Sequence, residues 1–95
     1  MMNSLKAQKA RALLVDAKHA VENELNAARQ GNTAVDSVDN LEWAMQGIQD
    51  MIDSIDRGEL IDPPGISYVA GDQWDYRSKA QTAVIEAEYA YKKLI

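Results

Sequence analysis

Apolar residues recur at three- and four-residue intervals along most of this chain, and the rhythm is broken hard only once. Ala10, Leu13, Leu14, Ala17, Val21, Leu25 and Ala28 fall along one side of a helix, which predicts a first helix over residues 5–30. Asn3 or Ser4 can cap its start, and Gly31 can take the positive φ of a residue just past its end. Thr33 is then a good N-cap for a second helix over residues 34–57, with Asp36 at the third helical position in a variant of the capping box. In that second helix Val38, Leu41, Met45, Ile48, Ile52 and Ile55 alternate in steps of three and four, a heptad seam that stops at Gly58. A third helix is predicted over residues 73–94, capped by Asp72, with Asp75 at its third position and Ala80, Val84, Ala87, Tyr91 and Leu94 along one face.

These elements predict an all-α fold, a single-domain three-helix bundle over residues 1–95. The short Gly31–Thr33 connection makes the first two helices an antiparallel hairpin. Residues 58–72 are expected to be a long, ordered Pro/Gly loop. Extended, residues 59–71 reach about 40 Å, enough to return the third helix parallel to the second, so the sequence leaves the direction of the third helix open.

The break in the rhythm is "LIDPPGISYVAGDQWDYR", residues 60–77. Pro63 and Pro64 exclude helix locally, and Gly65 after Pro64 suits a type II turn. "ISYV" alternates as a short extended stretch does. Two roles fit the segment. Ile61, Ile66, Tyr68, Val69 and Trp74 can fold over the open end of the bundle and seal it. Alternatively, Tyr68, Trp74 and Tyr76 can form an amphipathic contact patch for a partner.

Charge is spread unevenly. Residues 1–32 hold five basic and three acidic residues, and residues 73–95 hold four basic and three acidic. Residues 33–72 hold nine acids against Arg57 alone, so the net charge of −5 originates there. On the second helix Asp36, Asp39, Glu42, Asp50, Asp53 and Asp56 lie off the seam or along its borders. Such a surface is either a solvated face neutralised by the chain's own lysines and arginines, or an acidic face presented to a basic site on another protein. Imitation of nucleic-acid phosphates is the extreme form of the second option. Direct nucleic-acid binding is disfavoured, because Lys6, Lys9, Arg11, Lys18, Lys92 and Lys93 are few and the acidic middle repels a phosphate backbone.

Catalytic and metal signatures are sparse. The chain has no cysteine, which removes disulfides, thiolate sites and cysteine nucleophiles. His19 is the only histidine; Asp16 and Glu22 flank it at three residues, but a di-iron bundle needs that pattern twice. Asp50, Asp53 and Asp56 sit on a helix without the glycine and terminal glutamate of an EF-hand loop. Ser37, Ser54, Ser67 and Ser78 carry no mark of an activated nucleophile, and no phosphate-binding glycine loop occurs. Arg11 and Arg29 invite comparison with the small helical chorismate mutases, yet the second helix offers only Arg57 for their anion pocket. The Trp-x-Gly turn of the secreted WXG proteins is also missing, since Trp43 is followed by "AMQG" inside a helix.

The run Ala12 to Val15 is too short for a signal peptide, and no stretch approaches the length of a membrane span. The chain is therefore expected to be soluble and cytoplasmic, with no cofactor, metal or catalytic residue. As a short, acidic, cysteine-free helical chain it resembles, in size and composition, the small accessory proteins of bacteriophages and other mobile elements. That resemblance implies a non-enzymatic binding protein, an inhibitor of a host nuclease, defence or nucleic-acid-handling complex. The expected contact residues are Asp36, Asp39, Glu42, Asp50, Asp53, Asp56, Tyr68, Trp74 and Tyr76. The rival expectation is a structural homo-oligomer, a homodimer in the simplest case, joined through the helix seams.

Overall fold

A computed structural model describes residues 4–31, 38–74 and 78–95. Among these residues the chain forms four helices and no strand: α1 (Leu5–Arg29), α2 (Val38–Arg57), α3 (Ile66–Gln73) and α4 (Lys79–Lys92). The bundle measures 42 × 20 × 18 Å, and its long axis is set by the 25-residue α1.

The apolar stripes do what their spacing requires. Ala7, Ala10, Leu14, Ala17, Val21 and Leu25 of α1 are buried, as are Leu41, Ile48, Ile52 and Ile55 of the α2 seam and Ala80, Val84, Ala87 and Tyr91 of α4. Ser4 caps α1, its Oγ accepting from the Ala7 N–H at 3.1 Å. Gly31 and Gly58 take φ of 79° and 74°, the left-handed conformation that glycine adopts without penalty after a helix. Thr33 and Asp36, assigned to the start of the second helix, lie outside the described residues.

Side-chain pairs fix the helix directions. Arg11 reaches Asp56 and Lys18 reaches Gln49, so α1 and α2 run antiparallel. Tyr91 near the end of α4 meets Ser54 near the end of α2, while Gln81 near the start of α4 bonds Trp74, whose neighbour Gln73 bonds Asn40 near the start of α2, so α4 runs parallel to α2 and antiparallel to α1.

A parallel return needs a leg running back along the bundle, and here the fold departs from a three-helix bundle with a long loop. Part of the segment expected to be loop is α3. "ISYV" is helical rather than extended, Asp72 lies inside α3 rather than capping the last helix, and α4 begins at Lys79. Its cap is Ser78, whose Oγ accepts from the Ala80 N–H at 3.1 Å. The eight residues of α3 are too few to be stable alone, and Ile66, Val69 and Gly71 are weak helix formers. Tertiary contacts supply what propensity lacks. Gly65, at φ 84°, makes the turn expected after Pro64, and Ile66, Ala70 and Trp74 bury one side of α3.

Two α4 side chains hold α3 at both ends. The Glu88 carboxylate accepts from the N–H groups of Gly65, Ile66 and Ser67 at 2.9–3.1 Å and from Ser67 Oγ at 2.6 Å. Seven residues earlier, the Gln81 amide donates to the carbonyls of Ala70 and Trp74 at 2.9 and 3.2 Å. The unpaired donors of α3's first turn and unpaired acceptors of its last are thereby satisfied from a neighbouring helix. On the other side, Gly47 of α2 makes room for Pro64 and Ile66: a Cβ there would stand 2.6 Å from Ile66 Cδ1 and 3.0 Å from Pro64 Cγ.

Candidate functional site

The face of α2 opposite the seam is built by subtraction. Leu41, Ala44, Ile48, Met51, Ile52 and Ile55 point inward, and Gly47 faces the 64–66 segment. Asp39, Glu42, Trp43, Gln46, Asp50 and Asp53 therefore occupy the outward arc. Asp39, Glu42 and Asp50 are exposed and Asp53 is half-buried.

The described acidic residues are not equivalent. Asp56 leans toward α1, where the Arg11 guanidinium grips it with two parallel bonds, Nε to Oδ1 at 2.8 Å and Nη2 to Oδ2 at 3.1 Å. Accepting these bonds holds the Asp56 carboxyl below its ordinary value of 3.8, and the same contact raises Arg11. Asp56 is thus neutralised within the chain and leaves the outward set. Asp50 accepts from Gln46 at 2.8 Å and Asp53 from Gln49 at 2.9 Å, both one turn apart on α2. These amides orient the carboxylates without cancelling their charge. Among the described residues, none of Asp39, Glu42, Asp50 and Asp53 is in an ion pair. Asp36 lies outside the described residues.

The expected aromatic patch does not form as a trio. Tyr68 is 79 % exposed on the outer side of α3, whereas Trp74 is buried at 4 %. Trp74 closes the end of α3 over the core, so it belongs to the seal and not to a contact surface. Its indole N–H has no hydrogen-bond partner among the described residues. Tyr76 lies outside the described residues. The aromatic that does stand within the acidic face is Trp43, 43 % exposed. Its signal was present in the sequence, since it falls two residues after Leu41 and two before Met45 and so points away from the seam.

Other groups with chemical potential have structural partners. Ser54 is buried, donating to the Met51 carbonyl at 2.7 Å and accepting from Tyr91 Oη at 2.6 Å, while Tyr91 accepts from the Ile61 N–H at 2.9 Å. Ser67 is held by Glu88, and Ser78 caps α4. His19 is exposed, with Nδ1 3.9 Å from Glu22. Among the described residues no group of three His, Asp or Glu side chains converges as a metal site requires, and no helix is long and apolar enough to cross a membrane.

Comparison with family models, with curated proteins and with solved structures gives no match to this chain. The geometry of the α2 face therefore carries the functional argument.

Proposed function

We propose that the protein is a non-enzymatic binding module whose outward α2 face docks on a basic site of another protein. The observation that supports this is the run of Asp39, Glu42, Asp50 and Asp53 along the α2 face that also carries the half-exposed Trp43, with none of the four acids in an ion pair among the described residues. Like charges one turn apart cost a few tenths of a kcal/mol per pair, and a strong seam tolerates that cost. A tryptophan at the edge of an acidic face combines an anchor for a desolvated pocket with a field that steers a cationic partner. Arginine on the partner satisfies both, pairing with carboxylates and stacking on the indole.

The narrower form of the reading is an inhibitor that fills the basic groove of a nuclease, defence or nucleic-acid-handling complex, its carboxylates standing where phosphates would. Burial of Leu41, Ile48, Ile52 and Ile55 in the core of one chain weighs against the rival reading, in which subunits join through the helix seams.

The test is capture from a bacterial lysate by wild type, by Asp39→Lys/Asp50→Lys and by Trp43→Ala, at ~50 mM and ~500 mM salt, where the Debye length falls to a few ångströms. A partner held by wild type at low salt should be released at high salt and missed by the charge-reversed variant. Trp43→Ala should weaken it by about 2 kcal/mol or more. Capture of the same set of proteins by wild type and charge-reversed protein would remove the reading.

A further inference from the structure

The flank of α1 that faces away from α2 carries a surface of opposite character. Lys6, Lys9 and Leu13 of α1 and Tyr89, Ala90 and Lys93 of α4 line an open groove of about 450 Å³, with Glu86 as the one acid in its wall. Its floor is apolar and its rim cationic. Tyr89 is 61 % exposed there, and the Lys93 ammonium lies 4.5 Å from the centre of the Tyr89 ring. That cation–π contact holds a positive charge over the groove. Among the described residues none of Lys6, Lys9 and Lys93 is in an ion pair.

The chemical complement of this groove is a helix that presents an aromatic side chain among carboxylates, and the chain carries one. We infer that the α1/α4 groove is a docking site for the outward α2 face of a second copy, with Trp43 seated over Leu13 and Ala90 and with Asp39 and Glu42 toward the Lys6, Lys9 and Lys93 end of the groove. The inference relies on the same acidic face as the proposed function and adds a second surface to it. Arg11 and Lys18 pair with α2 on one flank of α1, while Lys6, Lys9 and Leu13 line the groove on the other. The acidic face and the groove therefore do not meet within one copy. The contact joins two different patches, so it is head-to-tail, and each added copy leaves one face of each kind free. A basic partner and a second copy compete for the same carboxylates, so at any one acidic face the two are mutually exclusive and only the copy at the acidic end of an assembly can hold a partner.

A heterologous contact has a test that a symmetric dimer fails. Lys9→Glu/Lys93→Glu removes the groove and keeps the acidic face; Asp39→Lys/Asp50→Lys removes the acidic face and keeps the groove. All four positions are exposed, and circular dichroism checks that both variants remain helical. Sedimentation velocity of wild type at ~50 mM salt should show average mass rising with concentration above the 10.5 kDa of one chain, and collapsing to it at ~500 mM salt. Each variant alone should stay at one chain. Mixed in equal amounts, the two variants should associate, because the intact acidic face of one meets the intact groove of the other, whereas either variant mixed with wild type should cap the end that its intact surface fits and shorten the assemblies. A single 10.5 kDa species for wild type at every concentration and salt, or association that persists in either variant alone, overturns the inference. Lysate capture as described above is scored separately, so loss of self-association with partner capture intact removes this inference and not the proposed function.

Discussion

Glu88 is fully buried, both of its oxygens are occupied, and its four donors come from the first turn of α3 and the turn that precedes it. A carboxylate in that place is favoured by the helix dipole and by charge-assisted bonds, which are stronger than neutral ones. Glu88→Gln keeps the length of the side chain but replaces one acceptor oxygen by an amide that must face N–H groups. The expected cost is about 2 kcal/mol in urea unfolding. Glu86→Gln, two residues away on the exposed side of α4, should stay within ~0.5 kcal/mol of wild type, and equal effects for the two would show that the clasp contributes nothing. In the sequence Glu88 was one more acid on an amphipathic helix. Its place one turn after Val84 on the buried side was a weak signal, because a charged residue there has meaning only once the segment it caps is known. Trp43 failed to stand out for the opposite reason: a lone exposed aromatic is ordinary on a protein surface, and it gains weight only from sharing a face with unpaired carboxylates.

At the scale of elements, periodicity made α1, the α2 seam and the buried face of α4 legible, since each buries a stripe whose spacing is a property of the chain alone. The leg between α2 and α4 was not legible in the same way. Pro63, Pro64 and Gly65 correctly announced an ordered break, but α3 draws its stability from Glu88, Gln81 and the notch at Gly47, which belong to other helices. Two glycines separate these influences. Gly71 lies in α3 with open space where a side chain would begin, while Gly47 is crowded by Ile66 and Pro64. Gly71→Ala should therefore stabilise the protein by about 0.5–1 kcal/mol through helix propensity. Gly47→Ala gains the same propensity but must push a fully buried isoleucine and a rigid proline ring, an overpacking cost of about 1–3 kcal/mol. The measured changes in unfolding free energy should have opposite signs. A stabilising Gly47→Ala would mean that the 64–66 segment does not rest on α2.

Over the whole molecule the consequence is an uneven distribution of stability. The three long helices bury their stripes against one another around α1, whereas α3 packs mainly on α4 and meets α2 near Gly47 and through the Asn40–Gln73 hydrogen bond. The strap formed by α3 and the turn that precedes it can open while α1 stays packed, because α1 contributes few contacts to it. Native-state hydrogen exchange resolves such units, since amides that exchange by local opening ignore mutations that change only the global equilibrium. Val21 of α1 is fully buried, and Val21→Ala should lower global stability by about 2 kcal/mol. The slowest amides of α1 and α2 should then exchange roughly thirtyfold faster, the factor equivalent to that free energy. The amides of Val69 and Trp74, which donate to Gly65 and Ala70 within the strap, should exchange at unchanged rates, because their opening leaves Val21 in place. Acceleration of all these amides together would mean that α3 opens only when the bundle does, and that the clasp of Glu88 and Gln81 fastens the strap into a single cooperative unit.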